Sequence, residues 1–264
     1  MITTLLTFVL GLSQLGASRT VLATVVDARG RAIVDIEADD FVVRETGRSR
    51  EVLSVRVADY PIAVVLDNGP GAGQDFDTIR QAAARFIGRI GHRPIAVALA
   101  DPARLIATFE DERAAVVQTL EKAATSTSGE GLFQAIVEAA RAISENGSPF
   151  SAIVVVSTSP LASVPSELLT PILESGAAVH VIVAGSQAPG QSKETLRALA
   201  DETHGQFTTI YSPASYQIAL DRLADRLAPQ LMVEYVVPVG STSGNDVQLG
   251  VRKPGARVVG QGVK

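Results

Sequence analysis

The run 62-IAVVLDNGPGAGQDFDTIRQAAARFIGRI-90 decides the fold class. Residues 62–67 are an almost unbroken apolar stretch ending on Asp67, the pattern of a strand covered on both faces. A loop with Gly69, Gly71 and Gly73 follows, and residues 76–90 carry apolar side chains at helical spacing. Strand, loop and covering helix form the unit of an α/β sheet, and the unit recurs downstream. PIAVALA (94–100), RLIATFE (104–110), SAIVVVS (151–157), AVHVIVAG (178–185) and FTTIYS (207–212) read as strands. ERAAVVQTLEKAA (112–124), GLFQAIVEAARAISEN (131–146), PSELLTPILESG (165–176), KETLRALADETHG (193–205) and SYQIALDRLADRLA (215–228) read as helices. Pro165 stands near the start of one and Gly176 just past its end, while Gly205 is expected to close another. The alternation predicts an α/β domain over 61–228, a doubly wound, mostly parallel sheet of Rossmann-like topology.

Outward from this block the pattern changes. In 19–60, VLATVV, AIVDI, FVVRE and EVLSVRV are rich in β-branched residues, and the turns DARGR and TGRSR separate them with Gly30 and Gly47. In 229–264, LMVEYVVPV and VQLGVRK read as strands. Two β-rich flanks around one inserted domain predict a small discontinuous β-sandwich formed by 19–60 packing with 229–264. Residues 1–18, MITTLLTFVLGLSQLGAS, carry an apolar core over 5–15, then Gly16, Ala17 and Ser18, with no charged side chain before Arg19. That core has the length of a signal peptide and is short for a bilayer span. The expectation is an exported protein, periplasmic or secreted, with no membrane association beyond the signal.

Composition narrows the function. Of 264 residues, 46% are hydrophobic and 19% charged, enough apolar surface for a core. There are 23 Lys and Arg against 28 Asp and Glu, a formal charge of −5, and no basic run marks a nucleic-acid binder. The absence of cysteine removes disulfides, thiolate metal sites and cysteine nucleophiles. Of the three histidines, His180 lies in an apolar strand, His204 at a helix end and His92 in a turn. No G-x-S-x-G elbow occurs, and no histidine is placed as a base for Ser157 or Ser159. Catalysis is not expected.

Ligands of open α/β sheets bind outside the carboxyl ends of the strands, which directs attention to 67-DNGPGAGQ-74, 126-STSGEG-131 and 157-STSPLAS-163. The first loop invites a nucleotide reading, because glycines between strand and helix let phosphate approach backbone N–H groups. Its spacing is G-x-G-x-G, however, and Gln74 stands where the fingerprint needs its third glycine. No Walker lysine follows. A nucleotide-binding α/β enzyme using Gly69–Gly73 is the lesser alternative.

The same stretches, in the same order, resemble a von Willebrand factor type A domain, specifically the bacterial exported proteins that flank it with β segments. Asp40, Phe41, Val43, Glu45 and Gly47 resemble the family's D-F-x-V-x-E-x-G stretch. IAVVLDNGPG sits where that family has a strand ending in D-x-S-x-S, SGEGLFQAI resembles G-T-A-L-Y-D-A-I, and IVVVSTS a strand ending in S-D-G. LRALADETHGQFTTI resembles L-x-x-L-A-x-x-T-G-G-x-x-F, and YVVPVG and VRKPGARVV its closing strands. The resemblance implies a metal-ion-dependent adhesion site of five oxygen-bearing residues on three loops, usually for magnesium. Asp67 matches the first aspartate, Gly69 and Gly71 replace the two serines, Glu130 falls at or beside the threonine, and Thr158 replaces the second aspartate. The site is thus expected to be degenerate and cofactor-free. Binding of a protein or peptide partner would run through Asp67, Asn68, Gly69, Gly71, Glu130 and Thr158. A cation site rebuilt from Asp67, Glu130 and Thr158, with Mg2+, is the alternative.

Overall fold

The computed structural model describes residues 17–129, 131–158, 166–185, 194–238 and 246–263. In chain order, β1 (Ala17–Val26), β2 (Phe41–Glu45), β3 (Arg48–Arg50) and β4 (Val52–Val57) come first. Then follow β5 (Ile62–Leu66), α1 (Phe76–Arg89), β6 (Ile95–Ala100), β7 (Ala103–Ala107), α2 (Arg113–Glu121), α3 (Leu132–Asn146), β8 (Ala152–Ser157) and α4 (Ser166–Glu174). The chain continues through β9 (Ala178–Ala184), α5 (Glu194–Glu202), β10 (Phe207–Ile210), α6 (Ala214–Leu227), β11 (Leu231–Val237), β12 (Val247–Val251) and β13 (Arg257–Val263). Two units result: Ala58–Ala228, and the segments up to Val57 and from Pro229 onward.

In the α/β unit the strand order is β10-β9-β8-β5-β6-β7. All neighbours are parallel except β6 and β7, which form an antiparallel hairpin at the edge. Every residue of β5, β6 and β8 is buried, as their unbroken apolar runs require. Ala63, Val65, Ile153, Val155, Val179 and Val181 pack with side chains of α3, α4 and α5. Helix α1 packs against α2 and α6 and supplies the other layer. Arg85 and Arg89 of α1 pair there with Asp221 of α6 at 3.0 and 2.6 Å. Because β5 leads first to β6 on one side and later to β8 on the other, the strand order reverses beside β5. The carboxyl ends of β5 and β8 therefore flank the crevice where such sheets take ligands.

The second unit has two antiparallel sheets, β13-β1-β11-β4 and β12-β2-β3. Val21, Val25, Phe41, Val43, Val233, Tyr235 and Val247 from both sheets form one core between them. A buried charge is set in this core. Glu45 of β2 is fully buried and accepts from Arg19 of β1 at 2.7 Å and Arg50 of β3 at 2.8 Å. The Tyr235 hydroxyl of β11 donates to it at 3.4 Å, and burial first, then the Glu45 charge, pushes that phenol's pKa up.

Several sequence expectations change. AIVDI (32–36) is not a strand: Asp27 accepts from the Arg29 and Arg31 backbone N–H groups, only Ala32 makes a bridge, to Val26, and Ile36 alone of the run is buried. TGRSR is a turn only at Thr46 and Gly47, both at positive φ, after which Arg48–Arg50 form β3. A third closing strand, β13, pairs with β1. Ala17 and Ser18, read as the end of the export signal, open β1 opposite Val237 and Val236, while residues 1–16 lie outside the described residues. Gly205 does not supply the left-handed helix closure. His204 adopts it, at φ 58°, and Gly205 is required because a Cβ there would lie 1.9 Å from the Val179 carbonyl oxygen.

Removing Glu45 leaves Arg50 buried without its carboxylate, so Glu45→Ala is expected to destabilise the sandwich by roughly 3–5 kcal/mol in urea unfolding. Glu45→Ala combined with Arg50→Leu should recover much of that loss. His180 in β9 is buried, its Nδ1 has no hydrogen-bond partner among the described residues, and burial, aided by the Arg226 charge, pushes its pKa down to about 4. The unfolded chain protonates nearer 6.5, so stability present above that pH is lost as pH falls towards 4, at up to about 1.4 kcal/mol per pH unit. His180→Leu should flatten that part of the profile in melts across pH 7 to 4.

Candidate functional site

The site begins with a buried carboxylate. β5 delivers Asp67 to the switch point, where it is 6% exposed. Its Oδ2 accepts from the Thr158 backbone N–H at 3.0 Å and the Thr158 hydroxyl at 2.8 Å. Its Oδ1 accepts from the Gly69 N–H at 3.1 Å. Two loops leaving separate strands are thereby tied to one carboxylate by charge-assisted bonds. The Tyr216 hydroxyl of α6 donates to the Ser157 carbonyl at 3.3 Å beside this group. Burial, then the charges of Asp67 and Asp75, raises the Tyr216 pKa, so the phenol keeps its proton.

Asn68, 1% exposed, does the same work for other loops. Its Nδ2 donates to the carbonyls of Asp101 at 2.7 Å and Ala124 at 3.0 Å, and its Oδ1 accepts from the Asp101 N–H at 2.8 Å. Its own carbonyl accepts from Ser126 N–H at 2.7 Å. Gly69 is buried under the neighbouring loop, where a Cβ would stand 2.9 Å from the Ser128 carbonyl oxygen and 3.0 Å from the Gly129 Cα. A serine hydroxymethyl has no room there unless that loop moves. Gly131 is fixed in the same way, since its Cβ would fall 1.9 Å from the Ala100 carbonyl oxygen.

Thus Asp67, Gly69 and Thr158 come together, and Asn68 lies beside them facing the second loop. Gly71 is exposed on the rim, next to exposed Pro70, Gly73 and Gln74, and faces solvent with Thr127, Ser128 and Gly129. Glu130 and the segment 159–165 lie outside the described residues. Two residues were not foreseen from the sequence. Tyr216 belongs to a stretch whose sequence pattern shows only a helix. Tyr211, immediately after β10 at the carboxyl end of the sheet, is 83% exposed, and its ring lies 2.4 Å from where a Cβ on Gly185 would be. A lone tyrosine after a strand gives no sequence signal that it will lie open on this face. Among the described residues, no three His, Asp or Glu side chains converge on a metal position.

Asp67→Ala leaves the Thr158 and Gly69 donors without their acceptor. It is expected to lower the stability of the α/β unit by about 3 kcal/mol in urea unfolding, the scale of two or three unsatisfied buried groups.

No family profile matches the sequence, and no curated protein does. Solved structures do. A von Willebrand factor type A protein from Catenulispora acidiphila aligns with a TM-score of 0.50 at 11% identity, over 95% of this chain and 74% of that one. Proximal thread matrix protein 1 from the mussel byssus aligns with a TM-score of 0.51 at 17% identity, over 67% of this chain and 47% of that one. This chain therefore spans about half the length of the mussel protein. At such identities the likeness speaks for architecture, and it agrees with the sheet order and the switch-point loops described above. The chain has the fold of a von Willebrand factor type A domain, with antiparallel β-sheets formed by its flanking segments.

Proposed function

We propose that this is an exported, non-catalytic binding protein that recognises a protein or peptide through the loops at the carboxyl ends of β5 and β8. The observation that carries this reading is the contrast between the inside and the outside of those loops. Inside, Asp67 and Asn68 are buried and spend their hydrogen-bonding groups on neighbouring loops. They act as positioning residues, and a partner would touch what they hold in place. Outside, Pro70, Gly71, Gly73 and Gln74 on one loop and Thr127 to Gly129 on the other are exposed and uncharged, and Tyr211 stands exposed at the same end of the sheet. A preorganised rim with an open aromatic side chain is the arrangement in which protein interfaces concentrate binding energy.

The described donors do not fit a divalent cation as they stand. A hard cation needs several oxygens free to face it. Both Asp67 oxygens accept protein hydrogen bonds, the Thr158 hydroxyl donates to one of them, and the position of Gly69 is closed against a serine. Binding in this reading is independent of magnesium. Among the described residues no histidine stands on the rim: His180 is buried within β9, His204 follows α5 and His92 lies in the turn before β6. Export rests on the signal-like run 1–18. Among the described residues no helix is long and apolar enough to cross a membrane.

Selection of displayed random peptides on the immobilised protein in EDTA tests the proposal. Enriched peptides should bind Tyr211→Ala about tenfold or more weakly, the loss of an aromatic anchor. Their affinity, and the melting temperature of the free protein, should change little with millimolar magnesium. Peptides that bind Tyr211→Ala as well as the parent, or only with magnesium present, would overturn it.

A further inference from the structure

The second rim loop, 126–129, is reached from α2 by a segment with little local structure to hold it. α2 has nine residues and fully buries only Val116 and Leu120. A helix so short is marginal unless its neighbours support it. Its last carbonyls need donors, and no basic residue stands in its last turn. Two local turns serve the Thr119 and Leu120 carbonyls, which accept from the Lys122 and Ala123 N–H groups at 3.2 and 3.0 Å. The next carbonyls, of Glu121, Ala123 and Ala124, are served by other elements.

Arg80, from α1, takes two of them. Its Nη1 donates to the Glu121 carbonyl and, at 3.0 Å, to the Ala123 carbonyl, while its Nη2 donates to Asp77 Oδ1 at 2.8 Å. Asn68 takes the third, the Ala124 carbonyl, and its own carbonyl accepts from the Ser126 N–H. A guanidinium holds several N–H groups in one rigid plane, so it can serve two carbonyls and a carboxylate together, and its charge suits the negative end of a helix. The Asp77 pair adds little, because the Asp77 side chain is 74% exposed, against 22% for Arg80. The two helices are tied at their other ends as well. Arg113, the first residue of α2, donates to the Ile87 and Gly91 carbonyls after α1 and, at 3.1 Å, to that of Arg93. The segment leaving α2 therefore stands on α1, the helix that the first rim loop enters. A few residues on, Ser128 and Gly129 approach Gly69 backbone to backbone, which tolerates little movement of the chain before them.

We propose that Arg80 is the positioning residue of the second rim loop. By holding the Glu121 and Ala123 carbonyls it keeps 126–129 closed onto the first loop before any partner arrives. The position of the loop is a property of the free protein, and its effect on affinity rests on the reading of the rim as the binding surface.

The test is ¹⁵N relaxation of the full labelled chain. In the parent, the backbone order parameters of 126–129 should be near about 0.85, and in Arg80→Met about 0.6 or lower, with those of β5 and β8 unchanged. A merely stabilising side chain would leave the order parameters of the folded state alone. Asp77→Ala keeps both carbonyl bonds and should match the parent. Should Arg80→Met fail to fold, Arg80→Lys keeps the charge but not the planar fork, and it should show the same loosening to a smaller degree. Peptides that depend on Tyr211 should bind Arg80→Met about fivefold or more weakly, the loss of a preorganised loop. Equal order parameters at 126–129 in the parent and the folded Arg80 variant would overturn the proposal. So would a loosened loop that leaves the affinity of such peptides unchanged. A selection that yields no peptide dependent on Tyr211 would sink the reading of the rim instead, and the order parameters would still decide the role of Arg80.

Discussion

A carboxylate taken out of water must be given donors, and at Asp67 that requirement organises the loops at the carboxyl end of the α/β sheet. β5 is covered on both faces, so the residue that ends it emerges into a buried place. The donors available are the Gly69 N–H and the N–H and hydroxyl of Thr158, which belong to loops leaving neighbouring strands. Satisfying one charge thus fixes the relative position of two loops. Asn68 extends the same principle with neutral groups to the loops after β6 and α2. The glycines follow from this closeness. Gly69 and Gly131 lie where backbone approaches backbone, and their lack of a side chain lets the loops close.

The same geometry is what supports the proposal of cation-independent binding. Gly69 presents no hydroxyl and gives the second loop room to close onto the first. Thr158 acts as a donor, to Asp67. The hydrogen bonds of the Asp67 carboxylate thus face inward, onto the loops. The same physics governs the second unit on a smaller scale. Glu45 is buried between two sheets, and the arginines that neutralise it come from β1 and β3. The acidic position in the D-F-x-V-x-E-x-G stretch therefore joins the N-terminal strand to the smaller sheet.

Much of the architecture could be read in advance. IAVVLD, SAIVVVS and AVHVIVAG are unbroken because parallel strands covered by helices have no solvent face, and each became a buried strand at its expected place. The helices were legible from their apolar periodicity. The β-rich flanks were harder, since short strands at the edge of a small sheet are decided by their neighbours. AIVDI has the composition of a strand yet finds almost no partner, whereas RSR lacks it and pairs with β2 across a tight turn. The direction of β7 was likewise invisible, because a strand's apolar pattern is the same whichever way it runs.

By itself the sequence determined the α/β core and the order of its elements, because burial periodicity is written residue by residue. Tertiary structure alone decided that Asp67 and Asn68 face inward, that Tyr211 lies open, and that Arg80 of α1 holds the chain leaving α2. Those outcomes depend on which loops meet over the sheet. A residue's partners and exposure belong to the neighbours that folding brings to it, and no local pattern in the chain specifies them.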